Sequence, residues 1–384
     1  MGAVFLCQVC HETSKIMKKM HYLTGFLWGF AGLTLALNAA SDELPAIFKT
    51  RFDVGGQFYD YQNYHGVPYF HGGLDLCAPA TTDVYTPVTG KVRISDYKIE
   101  ASANPHRFIY TRKPFKKGDV SSTRYLEVAV TENTGNIWMF RHIDPSSVPD
   151  EVFRCAADRS EISSGSMIGK VGRWLQPVLP EKGIYNHIHL EIIASDGAYL
   201  NPAQFVKTGK DYYPPVIHSL YAARHDTSDA IILENGTKAR LKGKIDLIAG
   251  VNDRMNHAAY QHAIYRATWS LERVNKDSGE LSALETREVV KFDRLPFKGD
   301  RVQLSRVIYR DQIKTAKGKV QANGNSGPRF FLLNLTSGTT QTGYSADNCL
   351  DTRKLANGRY RLNITVEDKA GNQRQKSYEF IIDN

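Results

Sequence analysis

Two short stretches of this sequence carry the residue types that a metal-dependent reaction needs. The first, residues 69–76, places His71 four positions before Asp75 across a Gly-Gly pair that could bend the chain. The second, residues 186–192, contains two histidines in the order His-x-His. Imidazole and carboxylate are common zinc ligands, and a catalytic zinc uses three protein ligands and leaves one position for water. His71, Asp75 and one histidine of the second stretch would complete such a set.

The second stretch predicts a β-strand. Because side chains alternate along a strand, its aliphatic residues fall on one face, and His187, His189 and Glu191 fall on the other. Two imidazoles on one face could reach the same metal ion, although a lone His-x-His more often presents two surface side chains. Glu191 is open to two interpretations: a carboxylate that orients an imidazole from outside the metal's ligand set, or a plain surface residue.

The segments around these stretches predict mainly β structure. Runs of Val, Ile and Thr and a total of 20 tyrosines favour strands. Residues 86–94 predict a turn that feeds a strand, and residues 126–130 and 137–142 predict a hairpin that ends in His142. A glycine-punctuated strand is expected at residues 163–172. For a metal site to form, these strands must bring the polar side chains of the two stretches to one surface of the domain.

In this order the motifs form a recognisable pattern. The span from about residue 55 to 207 resembles the LytM/lysostaphin-type zinc endopeptidases of bacterial cell walls. The shared order is His-Gly-x-x-Asp, a Val-x-Gly-x-Val strand, a hairpin ending in His, Gly-x-x-Ile-Gly-x-x-Gly, His-x-His-x-Glu and Asn-Pro. The resemblance implies an antiparallel β-sheet peptidase domain in which His71, Asp75 and His189 bind one zinc ion per chain. It also implies that His142 and His187 are two catalytic histidines beside the metal.

The chain departs from the family pattern at a few positions. Arg141 and Ile143 stand within the family's usual Tyr-x-His-Leu segment, and Asn186 precedes the histidine pair in place of proline or a small residue. The loops at 97–122 and 173–185 are enlarged and should border the substrate groove. These departures bear on substrate preference rather than on the metal site.

The resemblance implies an exported zinc endopeptidase that hydrolyses peptide bonds in the stems or cross-bridges of peptidoglycan. Zinc-activated water would attack the peptide carbonyl, and the two histidines would move its proton and stabilise the oxyanion. Two alternatives stay open: a non-catalytic activator of other wall hydrolases, and a wall-binding protein in which zinc is structural. We expect the protein to bind peptidoglycan and to be a monomer. We do not expect it to bind nucleic acid or to stay inserted in a membrane after signal cleavage.

The N-terminus has the pattern of a secretory signal peptide. A short basic region at residues 17–20 precedes an apolar run at 23–37 and a small-residue cleavage region. We expect residues 1–40 to be removed on export to the periplasm or the medium, with Met17 as the alternative start and a retained anchor as the alternative fate. The pattern Cys-x-x-Cys-His at residues 7–11 matches c-type haem attachment, but its place before the export signal argues against haem.

Three cysteines remain after the predicted cleavage, namely Cys77, Cys155 and Cys349. An odd number leaves at least one thiol free or paired between chains, and a Cys77–Cys155 disulfide is permitted in an exported protein. Cys77 lies two residues after Asp75, so it is also a candidate metal ligand. We rank it below the histidines because a buried small residue is the commoner role of cysteine.

From residue 211 the sequence changes character. A proline-marked junction at 212–217 predicts a linker between a peptidase domain at 41–210 and a second domain at 211–384. Strand-like runs follow, and the C-terminal residues resemble the closing hairpin of bacterial immunoglobulin-like or fibronectin-like β-sandwich modules. A polar stretch at 275–325 is a candidate insertion. His262 lies in another polar segment, and we expect it to be solvated.

Composition is that of an ordinary globular protein and does not select a partner. Of the 384 residues 42% are hydrophobic and 23% are charged, which allows an ample core. The net charge is +9. Such a surplus suits an acidic polymer such as a cell wall or a nucleic acid, and it equally suits a solvated basic surface.

Overall fold

Strands make up most of the described chain, which confirms the expected mainly β fold. The structure, a computed structural model, describes residues 46–64, 67–100, 107–118, 125–174, 185–233, 239–255, 260–295, 301–321, 330–340, 343–345 and 348–384. Residues Leu44–Asn384 form one compact unit. The other unit, Met1–Glu43, lies outside the described residues, and so do the predicted signal peptide and the Cys-x-x-Cys-His pattern.

The first part of the chain builds one large sheet, several short ribbons and a helix. In chain order its elements are β1 (Asp53–Gly56), β2 (Tyr61–Tyr64), β3 (Val67–Phe70), β4 (Leu74–Cys77), β5 (Asp83–Tyr85), β6 (Gly90–Glu100), β7 (Arg107–Pro114), β8 (Tyr125–Thr131), β9 (Ile137–Ile143), α1 (Asp150–Asp158), β10 (Glu161–Ile162), β11 (Met167–Lys170), β12 (His187–Ile193) and β13 (Tyr199–Leu200).

The large sheet has the strand order β1-β4-β12-β9-β8-β6-β10, with β7 added to β6 and β13 added to β12. Its strands bury their aliphatic face in one hydrophobic cluster, to which Leu74, Phe140, Ile188 and Leu190 belong. The predicted hairpin is present as β8 and β9, and His142 lies one residue before the end of β9. This sheet is the platform on which the polar residues stand.

The second part is also built from strands, with one short helix among the described elements. In chain order these are β14 (Val216–Arg224), β15 (Ala230–Leu233), β16 (Arg240–Leu241), β17 (Lys244–Asn252), β18 (Arg266–Val274), β19 (Leu281–Lys291), β20 (Arg294–Leu295), α2 (Arg301–Ile308), β21 (Tyr309–Arg310), β22 (Gln312–Thr315), β23 (Gly318–Gln321), β24 (Phe331–Asn334), β25 (Gly338–Thr340), β26 (Gly343–Ser345), β27 (Leu350–Asp351), β28 (Gly358–Glu367) and β29 (Gln373–Ile382).

Two sheets of this second part form a β-sandwich. One has the order β15-β14-β17-β24-β21 and the other β16-β29-β28-β18-β19. Leu247 and Val251 from the first sheet share a cluster with Trp269, Leu362 and Phe380 from the second. The finer immunoglobulin-like assignment stays a prediction. Within the proposed insertion, β19 pairs with β18 along its length, so that strand belongs to the sandwich.

Aromatic side chains join the first part of the chain to the second. Tyr59 and Phe70 belong to the same hydrophobic cluster as the sandwich residues. The ring of Tyr59 stacks on Phe292 with 3.7 Å between centroids, and Phe70 contacts Tyr309 edge to face. Strand β13 also pairs with β20. The domain boundary near residue 210 stays a prediction, but the hydrophobic core extends across it.

The expectation that His262 is solvated is wrong. Its side chain is fully buried, and its Nδ1 lies 3.0 Å from Oδ2 of Asp60. The other oxygen of Asp60 accepts a hydrogen bond of 2.7 Å from the backbone N–H of Ala263. A polar segment is exposed to solvent only when no other part of the chain packs against it. Here Asp60, about two hundred residues earlier in the chain, packs against His262.

Several other expectations have a simple outcome. Cys77, Cys155 and Cys349 are free thiols. The span at 97–122, expected as a loop, includes the end of β6 and all of β7, and these two strands pair with each other. Most of the loop at 173–185 lies outside the described residues, and the position of both spans beside the groove stays a prediction. Among the residues that are described, no helix is both long enough and apolar enough to cross a membrane.

Candidate metal centre

Strand β12 brings the predicted metal ligands together because it lies between β4 and β9. In the register of β12 with β4, His189 stands opposite Asp75. His71 reaches the same point from the bend just before β4. Gly73 makes this bend possible, since a Cβ atom there would lie 2.1 Å from the carbonyl oxygen of Leu190. Gly73 is therefore needed for the close approach of this segment to β12.

The three predicted ligands meet at one point. His71 Nε2 lies 3.0 Å from Asp75 Oδ1 and 2.9 Å from His189 Nδ1. His189 Nδ1 lies 2.8 Å from Asp75 Oδ1. His71 and Asp75 are buried, and the side chain of His189 is 12% exposed. This group could hold a metal ion.

In each of the two imidazoles, the nitrogen that points away from the cluster has a hydrogen-bond acceptor, and this leaves a lone pair on the nitrogen that faces the cluster. His71 Nδ1 lies 3.0 Å from the carbonyl oxygen of Gln57, which can only accept, so neutral His71 keeps its lone pair on Nε2. His189 Nε2 lies 3.0 Å from Oε1 of Glu191 and donates in the same way. When both imidazoles are neutral, two lone pairs and one oxygen of Asp75 therefore converge. A metal ion fits this donor set.

The electrostatics of the cluster favour positive charge. Burial lowers the pKa of His71, but the charge and hydrogen bond of Asp75, the charge of Asp60 and the hydrogen bond to Gln57 together raise it to about 9. Burial also raises the pKa of Asp75, but the facing His71 and His187 hold that pKa well below its usual range. The cluster accordingly attracts either a proton or a cation.

A tyrosine and a glycine hold Asp75 in place. The hydroxyl of Tyr185 donates to Asp75 Oδ2 at 2.5 Å, which leaves Oδ1 turned toward the histidines. Gly56 provides the space, since a Cβ atom there would lie 2.9 Å from Asp75 Oδ2 and 3.0 Å from His71 Cε1. The sequence analysis singled out neither residue. Tyr185 had a signal, its place beside the histidine pair in an enlarged loop, whereas Gly56 had none.

His187 stands next to the ligand atoms rather than among them. Its Nδ1 lies 2.9 Å from the carbonyl oxygen of Tyr185 and therefore donates. Its Nε2 faces the cluster at 3.7 Å from Asp75 Oδ1. Burial, partly offset by Asp75, lowers the pKa of His187. The inward nitrogen can therefore accept a proton at neutral pH.

His142 is held close to His187 in a strained conformation. Its φ angle is +68°, a left-handed value that costs a non-glycine residue about 1–2 kcal/mol. The backbone N–H of Gly172 donates to the carbonyl oxygen of His142 at 2.9 Å, and the rings of His142 and His187 are 4.7 Å apart. Burial and the neighbouring His187 keep the pKa of His142 well below its usual range.

An aromatic wall supports both of these histidines, and the sequence analysis missed it. The ring of Trp174 lies 4.7 Å from that of His142 and 4.8 Å from that of His187. Tyr125 stacks on Trp174 at 5.7 Å and meets His142 edge to face at 5.4 Å. Rings packed in this way restrict the orientation of the two imidazoles.

Glu191 belongs to a buried chain of alternating charges. Its Oε1 faces Nε2 of His189 at 3.0 Å and Nη1 of Arg141 at 2.5 Å. Arg141 Nε donates to Glu127 Oε2 at 2.9 Å, and Arg93 Nη2 donates to Glu127 Oε1 at 3.1 Å. Glu191 is therefore not a plain surface residue: it lies against the imidazole of His189, a predicted ligand. Arg141, a departure from the family pattern, is positioned to neutralise two buried carboxylates.

Cys77 is a poor candidate for a ligand. It does not belong to the cluster of His71, Asp75 and His189. Burial, followed by the charge of Asp75, raises the pKa of its thiol well above the usual range. A thiol that keeps its proton does not bind metal, because the ligand form is the thiolate.

Comparisons with known proteins add little to this geometry. No protein-family model and no curated protein matches the chain. A solved structure of a candidate peptidase M23 from Pseudomonas aeruginosa has 21% identity, covers 44% of this chain and 52% of its own, and has a TM-score of 0.25. Dimeric latent PorU from Porphyromonas gingivalis has 11% identity, coverages of 87% and 24%, and a TM-score of 0.22. The chain spans about half of the first and a quarter of the second, and likenesses this weak assign no family.

Proposed function

We propose that this protein is a zinc-dependent endopeptidase. The observation that carries the proposal is the convergence of His71 Nε2, His189 Nδ1 and Asp75 Oδ1 within 3.0 Å of one another, with both imidazoles donating outward. Two nitrogens and one carboxylate oxygen are a ligand set of catalytic zinc, which keeps a further position for water. A structural zinc would call for a fourth protein ligand, and no fourth ligand joins the cluster among the described residues.

Two more histidines of the chain are placed for proton transfer. A bound zinc would supply Lewis acidity and lower the pKa of a water molecule to about 7. His187, whose Nε2 faces the cluster and whose pKa is lowered, is suited to take the proton of that water. His142 is suited to orient His187 and to donate a hydrogen bond to the oxyanion. Both histidines belong to the proposed machinery, and Glu191 orients His189.

We further propose peptidoglycan as the substrate. The resemblance of residues 55–207 to cell-wall endopeptidases and the net positive charge support peptide stems or cross-bridges of that polymer. The signal-like N-terminus supports export to the periplasm or beyond, where the enzyme acts as a monomer with one zinc per chain. The sandwich would then dock the enzyme on the wall.

Digestion of purified peptidoglycan tests the function. Zinc-loaded protein should release peptide-cleaved fragments, read by mass, and a chelator should abolish the release until zinc is restored. The same digestion with a His187→Ala variant that retains zinc should release almost nothing, which excludes a contaminating hydrolase.

The alternatives predict different results. If zinc-loaded protein binds the polymer but releases no fragment, and stimulates other wall hydrolases when mixed with them, the protein is a non-catalytic activator. If it binds the polymer without either effect, zinc is structural and the wall-binding alternative holds.

A further inference from the structure

Three carboxylates outside the histidine cluster converge at the base of the sandwich. Asp211 precedes β14, Asp253 follows β17, and Asp368 follows β28. One oxygen of each lies within 4.8 Å of the oxygens of the other two. Asp253 is 1% exposed and Asp368 is 2% exposed. Two of the three carboxyl groups are therefore held out of water.

Among the described residues, lysine and arginine side chains do not balance this charge. Within the ranges that the structure describes, no lysine or arginine forms an ion pair with any of the three aspartates. Burial and then the charges of Asp368, Asp211 and Asp60 raise the pKa of Asp253 to about 8, although a hydrogen bond with the backbone of Arg254 acts in the opposite direction. Like charges at this distance in a buried place repel strongly.

One carboxylate oxygen of Asp253 also lacks a hydrogen bond among the described residues. Asp253 Oδ1 is buried and has no hydrogen-bond partner among the described residues. Its neighbour Asp368 differs, because the backbone N–H and the amide of Asn372 donate to its two oxygens at 2.9 Å and 2.7 Å. A buried carboxylate oxygen without a donor is costly unless a cation contacts it.

We propose that Asp211, Asp253 and Asp368 form a calcium site, distinct from the proposed peptidase centre. Calcium is a hard cation that takes oxygen ligands and tolerates irregular geometry, and water can complete the coordination on the side of half-buried Asp211. Zinc prefers nitrogen and sulfur ligands to a set made only of carboxylates. The two clusters of this chain would therefore select different ions by the softness of their donor atoms.

The calcium ion would fasten the linker to the sandwich. It would join Asp211 in the linker to the ends of β17 and β28. The backbone of Asp253 pairs with that of His262 through two hydrogen bonds of 2.8 Å, and His262 contacts Asp60. Asp60 in turn accepts a hydrogen bond of 2.9 Å from the backbone N–H of His71. Calcium would thus support the segment against which the histidine cluster is built.

Calorimetric titration of the zinc-loaded full chain with calcium tests the proposal. We expect one calcium ion per chain and, at a calcium concentration of about 100 times the Kd, a rise of roughly 3 to 5 °C in the melting temperature. The chelator EGTA, used with buffered free zinc, should reverse the rise. Absence of binding, or binding of magnesium or zinc alone at these residues, would overturn the calcium site.

Single substitutions at the aspartates test whether calcium binds there, and variants that still fold separate a loss of binding from a loss of structure. Asp253→Asn removes repulsion, so without calcium it should melt no lower than the wild type, and it should lose the calcium response. Asp211→Asn, at a half-buried position, should weaken binding at least tenfold, whereas Asp277→Asn in an exposed turn should bind normally. If Asp253→Asn and Asp211→Asn both respond like the wild type, calcium binds elsewhere. His189→Ala should keep calcium binding, so failure of the peptidase proposal would leave this result unchanged.

Discussion

The two histidines of β12, His187 and His189, differ in which ring nitrogen faces the cluster. His189 presents Nδ1 to Asp75 at 2.8 Å, within the ligand triangle, whereas His187 presents Nε2 at 3.7 Å. Each assignment follows from the acceptor behind the ring, a carboxylate for His189 and a carbonyl for His187. This difference supports the proposed roles of His189 as a metal ligand and of His187 as a proton acceptor.

The ligand assignment predicts the effect of three single substitutions on zinc content. His71→Ala, Asp75→Ala and His189→Ala should each lose the zinc that the wild type holds at about one ion per chain, because two donors do not complete the set. His218→Ala, which changes an exposed histidine of the sandwich, should keep it. Elemental analysis after dialysis measures the content, and stoichiometric zinc in all three ligand variants would refute the assignment.

The proposed catalytic histidines should behave in the opposite way. His187→Ala and His142→Asn should retain zinc and lose about two to four orders of magnitude in turnover. Asparagine is the better choice at position 142 because it tolerates the left-handed backbone there. Bound zinc and peptide cleavage are measured on the same preparations. If His187→Ala loses zinc while His189→Ala keeps it, the two roles are reversed.

At the scale of elements, the pairing of β9 with β12 sets both the position of His189 and its chemistry. The register places Arg141 of β9 opposite His189, from where its guanidinium reaches Glu191 on one side and Glu127 of β8 on the other. The ring of His189 is thus oriented by a carboxylate that is itself neutralised by a neighbouring strand. Three strands cooperate in positioning one nitrogen atom.

Removing the charge of Glu191 should weaken metal binding without unfolding the chain. Glu191→Gln should lower zinc affinity about 10- to 100-fold, because the carboxylate no longer orients His189 or raises the basicity of its inner nitrogen. Competition with a chelating dye measures the affinity. Glu285→Gln, an exposed change on β19, serves as the control. An unchanged affinity in Glu191→Gln would make Glu191 a passive neighbour.

Removing the cation between the two glutamates should affect folding. Arg141→Met removes the cation beside buried Glu191 and leaves Glu127 with Arg93 as its one ion-pair partner among the described residues, and we expect a loss of roughly 3–5 kcal/mol in the free energy of unfolding. Arg154→Met breaks only an exposed pair with Glu151 and should cost less than about 1 kcal/mol. Urea unfolding measures both. A small, equal effect in the two variants would show that the buried network adds no stability.

At the scale of the whole molecule, the sandwich contributes to the loop that frames the metal centre. Tyr59 stacks on Phe292, and its backbone N–H donates to the carbonyl oxygen of His71 at 2.9 Å. Asp60, next to it, contacts both His71 and His262. The second part of the chain therefore packs against the residues that hold a proposed ligand.

This packing predicts that one sandwich substitution changes metal affinity and another does not. Phe292→Leu and Phe380→Leu each reshape a buried aromatic site, and each should cost about 1–1.5 kcal/mol of stability. Only Phe292→Leu should also lower zinc affinity and cleavage several-fold, because only Phe292 supports Tyr59. Urea unfolding and dye competition separate the two effects. Equal zinc affinities in both variants would show that the aromatic contact is structural alone.

The sequence by itself determined the local elements and the polar residues that they carry. Period-two alternation predicted a strand at residues 186–192, which the structure has at His187–Ile193, and placed its histidines on one face, because side-chain direction along a strand depends only on position. Spacing across the Gly-Gly pair likewise indicated His71 and Asp75, and the order of the motifs, through the family resemblance, indicated His142. A short-range pattern was sufficient for each of these predictions.

Only the tertiary structure decided which atoms meet. The inward nitrogen of each histidine depends on acceptors elsewhere in the chain, and the aromatic wall of Trp174 and Tyr125 has no period that a sequence would show. The buried state of His262 depends on Asp60, and the convergence of Asp211 with the other two aspartates depends on three separate segments. These contacts are long-range, and strand pairing and burial create them only when the whole chain is folded.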